Sequence, residues 1–373
     1  MSELDLIVND INKKYGVGTI RPGNEFPKFT RISSGVFSLD VEIGGGLPKG
    51  RLVIFTGNES TGKTTVAKLA IAQFQNTCKN CLGYIEECGC NSPEPHKAVF
   101  VDIEGAFDSN WFSQLGGNLD ELLLIQPEYA EQACDVVEAL VGSGEVDIIV
   151  VDSIAMMTPA IEIEESADKA LIGTHARLMN KMMRLIQSRM NSLGMTNERK
   201  PAVILINQIR EKVGVMYGNP ETYPGGRGQK FASSITVKFT TWPSELVYEG
   251  EKKKDVPPVA VPVRFKVEKN KTFLPYRSGM FTIYISYSSH GNKGTVNTAE
   301  QIIDYGVRYG LIEKSGAWLT VQTEDKDFKE QHQGKPALIK ALSENPNIQN
   351  ELMEKILEKI LEESSVKIVP KEE

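Results

Sequence analysis

Through the middle of the chain, short apolar runs alternate with stretches of helical periodicity. Residues 52–56, 98–103, 147–151 and 203–206 are rich in Val, Ile and Leu, which predicts buried strands. Between them, residues 66–74, 130–141 and 174–190 carry apolar side chains at helical spacing. Alternation of this kind predicts an α/β fold: a mostly parallel central sheet with helices on both faces. From 231 to 287 the period falls to two, in 235–240, 263–269 and 280–286, which predicts an antiparallel extension. The charged run 249–255, followed by Pro257 and Pro258, predicts a solvated hairpin loop. Beyond Asn297 the pattern turns helical again over 299–309 and 350–361, in a small C-terminal domain.

At the other end, Leu4, Ile7, Val8, Ile11 and Tyr15 fall on one face of a helix. A Gly/Pro-rich connector follows, with Gly16, Gly18, Pro22 and Gly23. A helix set apart in this way can pack on its own core or on a neighbouring subunit. The expected division is a helix-and-strand segment over 1–30, a core over 31–287, a small C-terminal α/β domain over 288–365 and a short tail over 366–373.

Chemistry enters at Gly57-Asn58-Glu59-Ser60-Thr61-Gly62-Lys63-Thr64, which matches G-x-x-x-x-G-K-[ST] and is followed by Thr65. The motif leaves a predicted strand and opens a predicted helix, the setting a phosphate loop requires. Its glycines let backbone N–H groups face an anion, and the helix N-terminus adds its positive dipole end. Lys63 would reach the β- and γ-phosphates of ATP, and Thr64 would hold Mg²⁺. Asp152 closes the apolar run Ile148-Ile149-Val150-Val151, where a carboxylate can serve the same Mg²⁺ or cap a helix. Glu104 closes another strand and could activate the attacking water. Asp102 is a rival.

Composition narrows the class. The 373 residues hold 42 Lys+Arg against 49 Asp+Glu, a formal net charge of −7, with 40% hydrophobic residues. That is the balance of a soluble globular chain, and it excludes a globally basic nucleic-acid binder but not a local basic loop. No apolar run approaches a membrane span and the first ten residues are polar, so a cytoplasmic protein without membrane contact is expected. Four of the five cysteines crowd into Cys78-x₂-Cys81-x₆-Cys88-x-Cys90. Four thiolates can close a tetrahedral Zn²⁺ shell, and a Cys₃His set using His96 is the alternative.

Taken together these elements resemble the RecA recombinase family, bacterial and phage-encoded. The matching text runs through Ile32-Ser33-Ser34-Gly35-Val36-Phe37-Ser38-Leu39-Asp40, the phosphate loop and Val101-Asp102-Ile103-Glu104. It continues through Ile149-Val150-Val151-Asp152-Ser153, Ile206-Asn207-Gln208-Ile209-Arg210, Lys269-Asn270-Lys271 and Leu311-Ile312-Glu313-Lys314-Ser315-Gly316-Ala317-Trp318. The resemblance implies a DNA-dependent ATPase that forms a helical filament on single-stranded DNA, searches duplex DNA for homology and exchanges strands. Mediators and single-strand-binding proteins are its implied partners. It makes Glu104 the catalytic glutamate and Gln208 the sensor of the γ-phosphate. Asp108 and Trp111 fall where the family places an aspartate and an aromatic against adenine. Lys269 and Lys271 match two lysines that reach the neighbouring subunit's ATP.

Two segments, 162–173 and 209–228, match the family's DNA-binding loops. Arg177, Asn180 and Arg184 on the helix after the first loop, with Arg210, Lys212 and Arg227 in the second, would meet DNA. Arg227 stands where the family usually has asparagine. Gly225 and Gly226 would offer backbone N–H groups to phosphates, and Ile172 and Val213 align with aliphatic side chains that enter between bases. The Cys-rich segment 78–97 departs from the family, which has a short turn there. A hexameric DNA motor or helicase shares this core and is the alternative function. A mediator using ATP only as a switch is a third.

Overall fold

The computed structural model describes residues 2–16, 19–23, 29–164, 173–194, 198–211, 221–226, 228–250, 256–289, 291–323, 325, 328 and 330–364. Ile172, Lys212, Val213 and Arg227, with the rest of 165–172 and 212–220 in the expected DNA loops, lie outside those residues.

An eight-stranded sheet carries the molecule. Its strands in chain order are β1 (Leu52–Gly57), β2 (Ala98–Asp102), β3 (Leu122–Ile125), β4 (Ile148–Asp152), β5 (Ala202–Gln208), β6 (Ile235–Thr240), β7 (Ala260–Asn270) and β8 (Ser278–Tyr284). Their spatial order is β8-β7-β6-β1-β5-β4-β2-β3. The six strands from β6 to β3 run parallel, and β7 and β8 add the antiparallel edge. The expectation that 235–240 belongs wholly to the antiparallel extension is therefore corrected: β6 pairs parallel with β1 and antiparallel with β7. A period of two fits either neighbour, so pattern alone could not choose. The edge strand β3 was not expected, because its half-exposed Leu122-Leu123-Leu124-Ile125 shows no alternation.

Strict alternation along the parallel strands divides the core in two. Phe55, Phe100, Val150 and Ile204 face the helix α2 (Lys63–Asn76), with its Val66, Ile71 and Phe74. Ile54, Val99, Val151 and Leu205 face the other way, against α3 (Ala130–Ser143) and α4 (Thr174–Ser192). A third core forms around α5 (Thr298–Arg308), α6 (Lys335–Glu344), α7 (Pro346–Ser364) and a three-stranded antiparallel sheet, Ile312–Ser315, Trp318–Val321 and Gln331–Gln333. The C-terminal region is thus α/β, as expected, with a small sheet beside the helices read from its pattern.

The short helix Phe37–Ile43 ties these cores together. Leu39 and Ile43 join the sheet's core, whereas Phe37 and Val41 join the C-terminal one. Beside them, buried Glu42 accepts hydrogen bonds from Tyr305 at 2.8 Å and Arg308 at 3.0 Å, and pairs with Arg277. The N-terminal helix α1 (Glu3–Tyr15) is closed by a Ser2–Asp5 capping box, yet none of its residues is buried. Leu4 and Tyr15 are 67% and 66% exposed, so its apolar stripe does not pack on its own core.

Candidate ATP and DNA sites

The parallel strands deliver their C-terminal ends to one edge, where α/β sheets bind ligands. β1 runs into the phosphate loop, β5 ends at Gln208, β4 at Asp152, and Glu104 follows β2. Gly57 pairs with Gln208 across the ladder, and Asp102 with Asp152. Four distant sequence motifs are brought to adjacent strands in this way.

The loop has the shape an anion needs. Gly57 sits at φ +151°, and a Cβ there would stand 2.5 Å from the Phe239 carbonyl oxygen. Lys63 begins α2, and its Nζ donates to the Asn58 carbonyl at 2.5 Å and to Thr61 Oγ1 at 3.3 Å. Burial draws its ammonium below the ordinary lysine value, while the charges of Asp152, Glu104 and Glu59 oppose the fall. The Thr64 hydroxyl donates to Asp152 Oδ2 at 2.6 Å. Burial pushes the Asp152 carboxyl up to about 6, opposed by that hydroxyl and reinforced by Glu104. These donors fit a Mg²⁺–triphosphate: a hard hydroxyl and carboxylate adjoin a desolvated ammonium at a helix N-terminus. The arrangement favours Asp152 as a metal-site carboxylate over a helix cap.

Glu104 and Asp102 separate clearly. Asp102 is buried and accepts from the amides of Ala106 and Phe107, each at 3.2 Å, and from Gln126 Nε2 at 3.0 Å. It pins the turn after β2. Glu104 is exposed at the strand end, and its Oε1 accepts from Gln208 Nε2 at 3.1 Å. Asp108 caps the helix Ser109–Gln114 by accepting from the Trp111 amide at 2.9 Å, and Lys293 lies 5.8 Å from the Trp111 ring centroid.

Gln208 is also where the second loop departs. The next amide, Ile209, donates to the Gly57 carbonyl at 3.3 Å. Its other neighbour, buried Asn207, faces the opposite way and donates to Pro224 O at 3.1 Å and Gln229 Oε1 at 2.7 Å. Asn207 and Gln229 clamp the base of the loop that holds Gly225 and Gly226, both at positive φ. The sequence reading missed this clamp, although a polar residue ending an apolar strand was its available signal. Arg210 opens the loop as an exposed residue in a two-residue ladder with Glu221–Thr222.

Arg177, Asn180 and Arg184 line one groove with Lys181, Gly228 and Phe231. A Cβ on Gly228 would stand 1.7 Å from Asn180 Oδ1, so α4 and the loop's end meet closely. Phe231 is 78% exposed at this groove. Lys181 and Phe231 were not anticipated. His175 is half-buried and bonds the Ile154 carbonyl at 2.8 Å, which gives it a structural role.

Lys269 lies near the end of β7 and Lys271 just past it, far from their own phosphate loop. Lys269 pairs with Thr236, which pairs with Ile54, three residues before Gly57 along β1, or about 10 Å. Both ammonium groups donate to the Phe231 carbonyl, at 3.4 and 3.1 Å. Burial and the adjacent Lys271 charge pull Lys269 down to about 8. Among the described residues neither lysine forms an ion pair. His96 lies apart from the cysteines: it is buried against Phe74 and 3.3 Å from Asp147, so the Cys₃His alternative is set aside.

The fold and its edge site define a P-loop nucleotide-binding protein with a RecA-type core. The family model for the RecA N-terminal domain matches residues 2–290, and that for the RecA C-terminal domain matches 300–361. Protein RecA of Oceanobacillus iheyensis is 40% identical over 324 residues, covering 86% of this chain and 83% of the relative. Protein RecA of Bacillus subtilis is 38% identical over 359 residues, covering 95% and 91%, and that of Frankia alni is 37% identical over 360 residues, covering 96% and 92%. The chain belongs to the RecA family of ATP-dependent DNA recombinases. These matches span both domains and favour the recombinase over a ring-shaped motor. No helix among the described residues is long and apolar enough to cross a membrane.

Proposed function

We propose that this protein polymerises on single-stranded DNA with ATP at each subunit junction, and that DNA-dependent hydrolysis there releases the filament after homology search and strand exchange. Residues 57–65, Glu104 and Asp152 of one protomer would hold the nucleotide, with Asp108 and Trp111 against the base. Mg²⁺, when bound at Thr64 and Asp152, neutralises phosphate charge. Glu104 orients and deprotonates the attacking water. Lys269 and Lys271 supply positive charge to the neighbour's γ-phosphate, where charge develops in the transition state. Their separation from their own phosphate loop, and the lack of an anionic partner among the described residues, support this reading. The exposed stripe of α1 would dock on an adjacent subunit.

The observation that carries the proposal is the Gln208–Glu104 contact at 3.1 Å. A γ-phosphate entering beside Glu104 competes for the Gln208 amide, and Gln208 adjoins both the phosphate loop and the clamped DNA loop. Nucleotide state and DNA grip are then one equilibrium, so each ligand must tighten the other. Mixing tests the shared pocket. Chains carrying Glu104→Gln and chains carrying Lys269→Ala with Lys271→Ala should each lack DNA-stimulated hydrolysis. Their mixture should regain part of it, because some junctions pair two intact halves. A mixture as inactive as its components would refute the shared site.

A further inference from the structure

The Cys-rich insertion remains outside the ATP and DNA sites. The sulfurs of Cys78, Cys81, Cys88 and Cys90 all lie within 4.8 Å of one another, and none is in a disulfide. A Zn²⁺ ion with four thiolates at about 2.3 Å requires sulfurs about 3.8 Å apart, so closure needs only small side-chain movements. The backbone is already wound for it. Cys78 N donates to the Gly83 carbonyl and Leu82 N to the Cys78 carbonyl, both at 2.8 Å, with Leu82 at φ +62°. The amides of Cys81 and Asn80 face the Cys78 sulfur.

A second observation points to a ligand. From 79 to 95 no residue is buried, so no apolar core holds this segment. Its base is fixed, through Lys79 at 3.2 Å from Asp147 and through the Thr77–Tyr84 and Cys78–Pro95 bridges. Toward its tip the Asn80 Nδ2–Ser92 carbonyl hydrogen bond at 3.0 Å joins its two arms, and the four thiols gather there. Ordering a segment with so little burial costs chain entropy that apolar contacts do not offset, the situation in which small modules use metals. The tip also forms one wall of a groove whose opposite wall is α7, with Leu82 and Tyr84 across from Met353 and Leu357.

We propose that Cys78, Cys81, Cys88 and Cys90 bind one structural Zn²⁺, making the insertion a metal-stapled wall against the C-terminal helix. The shell is complete with four sulfurs and leaves no open position for catalysis. An all-thiolate tetrahedron selects Zn²⁺ or iron among common metals, and the test separates them.

Full-length protein purified without chelator should carry one zinc per chain by elemental analysis. Titration of that protein with a mercurial in the presence of a chromogenic zinc indicator should release zinc in step with four thiols. Hydrogen exchange should then rise over 78–95 and 350–357 while the phosphate loop stays unchanged. A Cys88→Ser, Cys90→Ser double variant should lose the metal. Because that variant could fail to fold, the titration of unaltered protein is decisive. Thiols that react without releasing zinc, iron in place of zinc, or disulfides between these cysteines would each overturn the proposal.

Discussion

Removing the Asn207 carboxamide tests the coupling between the two sites. Asn207→Ala deletes the hydrogen bonds to Pro224 O at 3.1 Å and Gln229 Oε1 at 2.7 Å. Each contributes a net ~0.5–1.5 kcal/mol, and leaving the acceptor of Gln229, itself only 3% exposed, without its donor costs ~1–3 kcal/mol more. The clamp should therefore weaken by roughly 2–6 kcal/mol. If DNA binds only the clamped loop, 2 kcal/mol lowers the apparent affinity about 30-fold. Asn207 contacts neither Lys63 nor Thr64, so ATP affinity measured without DNA should fall much less, only through the coupling. Fluorescence anisotropy with labelled oligo(dT) and a non-hydrolysable ATP analogue reads the first quantity, and a fluorescent ATP analogue reads the second. Asn207→Asp should be at least as damaging, since it sets a carboxylate against two carbonyl oxygens. DNA affinity within twofold of the unaltered protein, or an equal loss of ATP binding, would refute the reasoning.

Other expectations concern metal and stability. Thr64→Val keeps the side chain's shape but removes the donor to Asp152, and hydrogen bonds to charged groups contribute ~1.5–3 kcal/mol. The Mg²⁺ concentration for half-maximal nucleotide binding should rise about 10-fold or more, as read by titrating Mg²⁺ against the fluorescent analogue. Glu42→Ala strips half-buried Arg277 and buried Tyr305 of the acceptor they share, itself buried, and urea denaturation should show a loss of about 3 kcal/mol, the range for breaking a buried pair. Burial would raise the Asp147 carboxyl, but His96 and Lys49, whose Nζ stands 2.5 Å away, hold it well below the usual carboxylate range. A depressed folded value means stability that is full above the unfolded value of ~3.9 and lost as pH falls below it. Asp147→Asn should thus be less stable at pH 7, with a shallower decline between pH 4 and pH 2 in acid-denaturation curves. An unchanged slope would remove Asp147 as its source.

How much was legible in the chain depended on whether the physics was local. The phosphate loop declares itself because its glycines, lysine and threonine act within eight consecutive residues. The central strands were readable because a strand buried on both faces must be apolar along its length, as β1, β4 and β5 are up to their polar C-terminal ends. Asp152 and Glu104 could be nominated as carboxylates at strand ends. Resemblance supplied Gln208 and the two lysines, which no local pattern marks.

Tertiary structure decided what depends on pairing between remote segments. Only the strand order β1-β5-β4-β2 sets Gly57, Gln208, Asp152 and Glu104 side by side. Only the register of β7 shows that Lys269 lies away from its own phosphate loop. The same holds for Asp102, whose role as the pin of a turn appears once its amide partners are located. His96 stands within seven residues of Cys90, yet its ring turns into the core toward Asp147 and Phe74. Sequence proximity is not side-chain direction, and direction is set by what the sheet and its helices pack against.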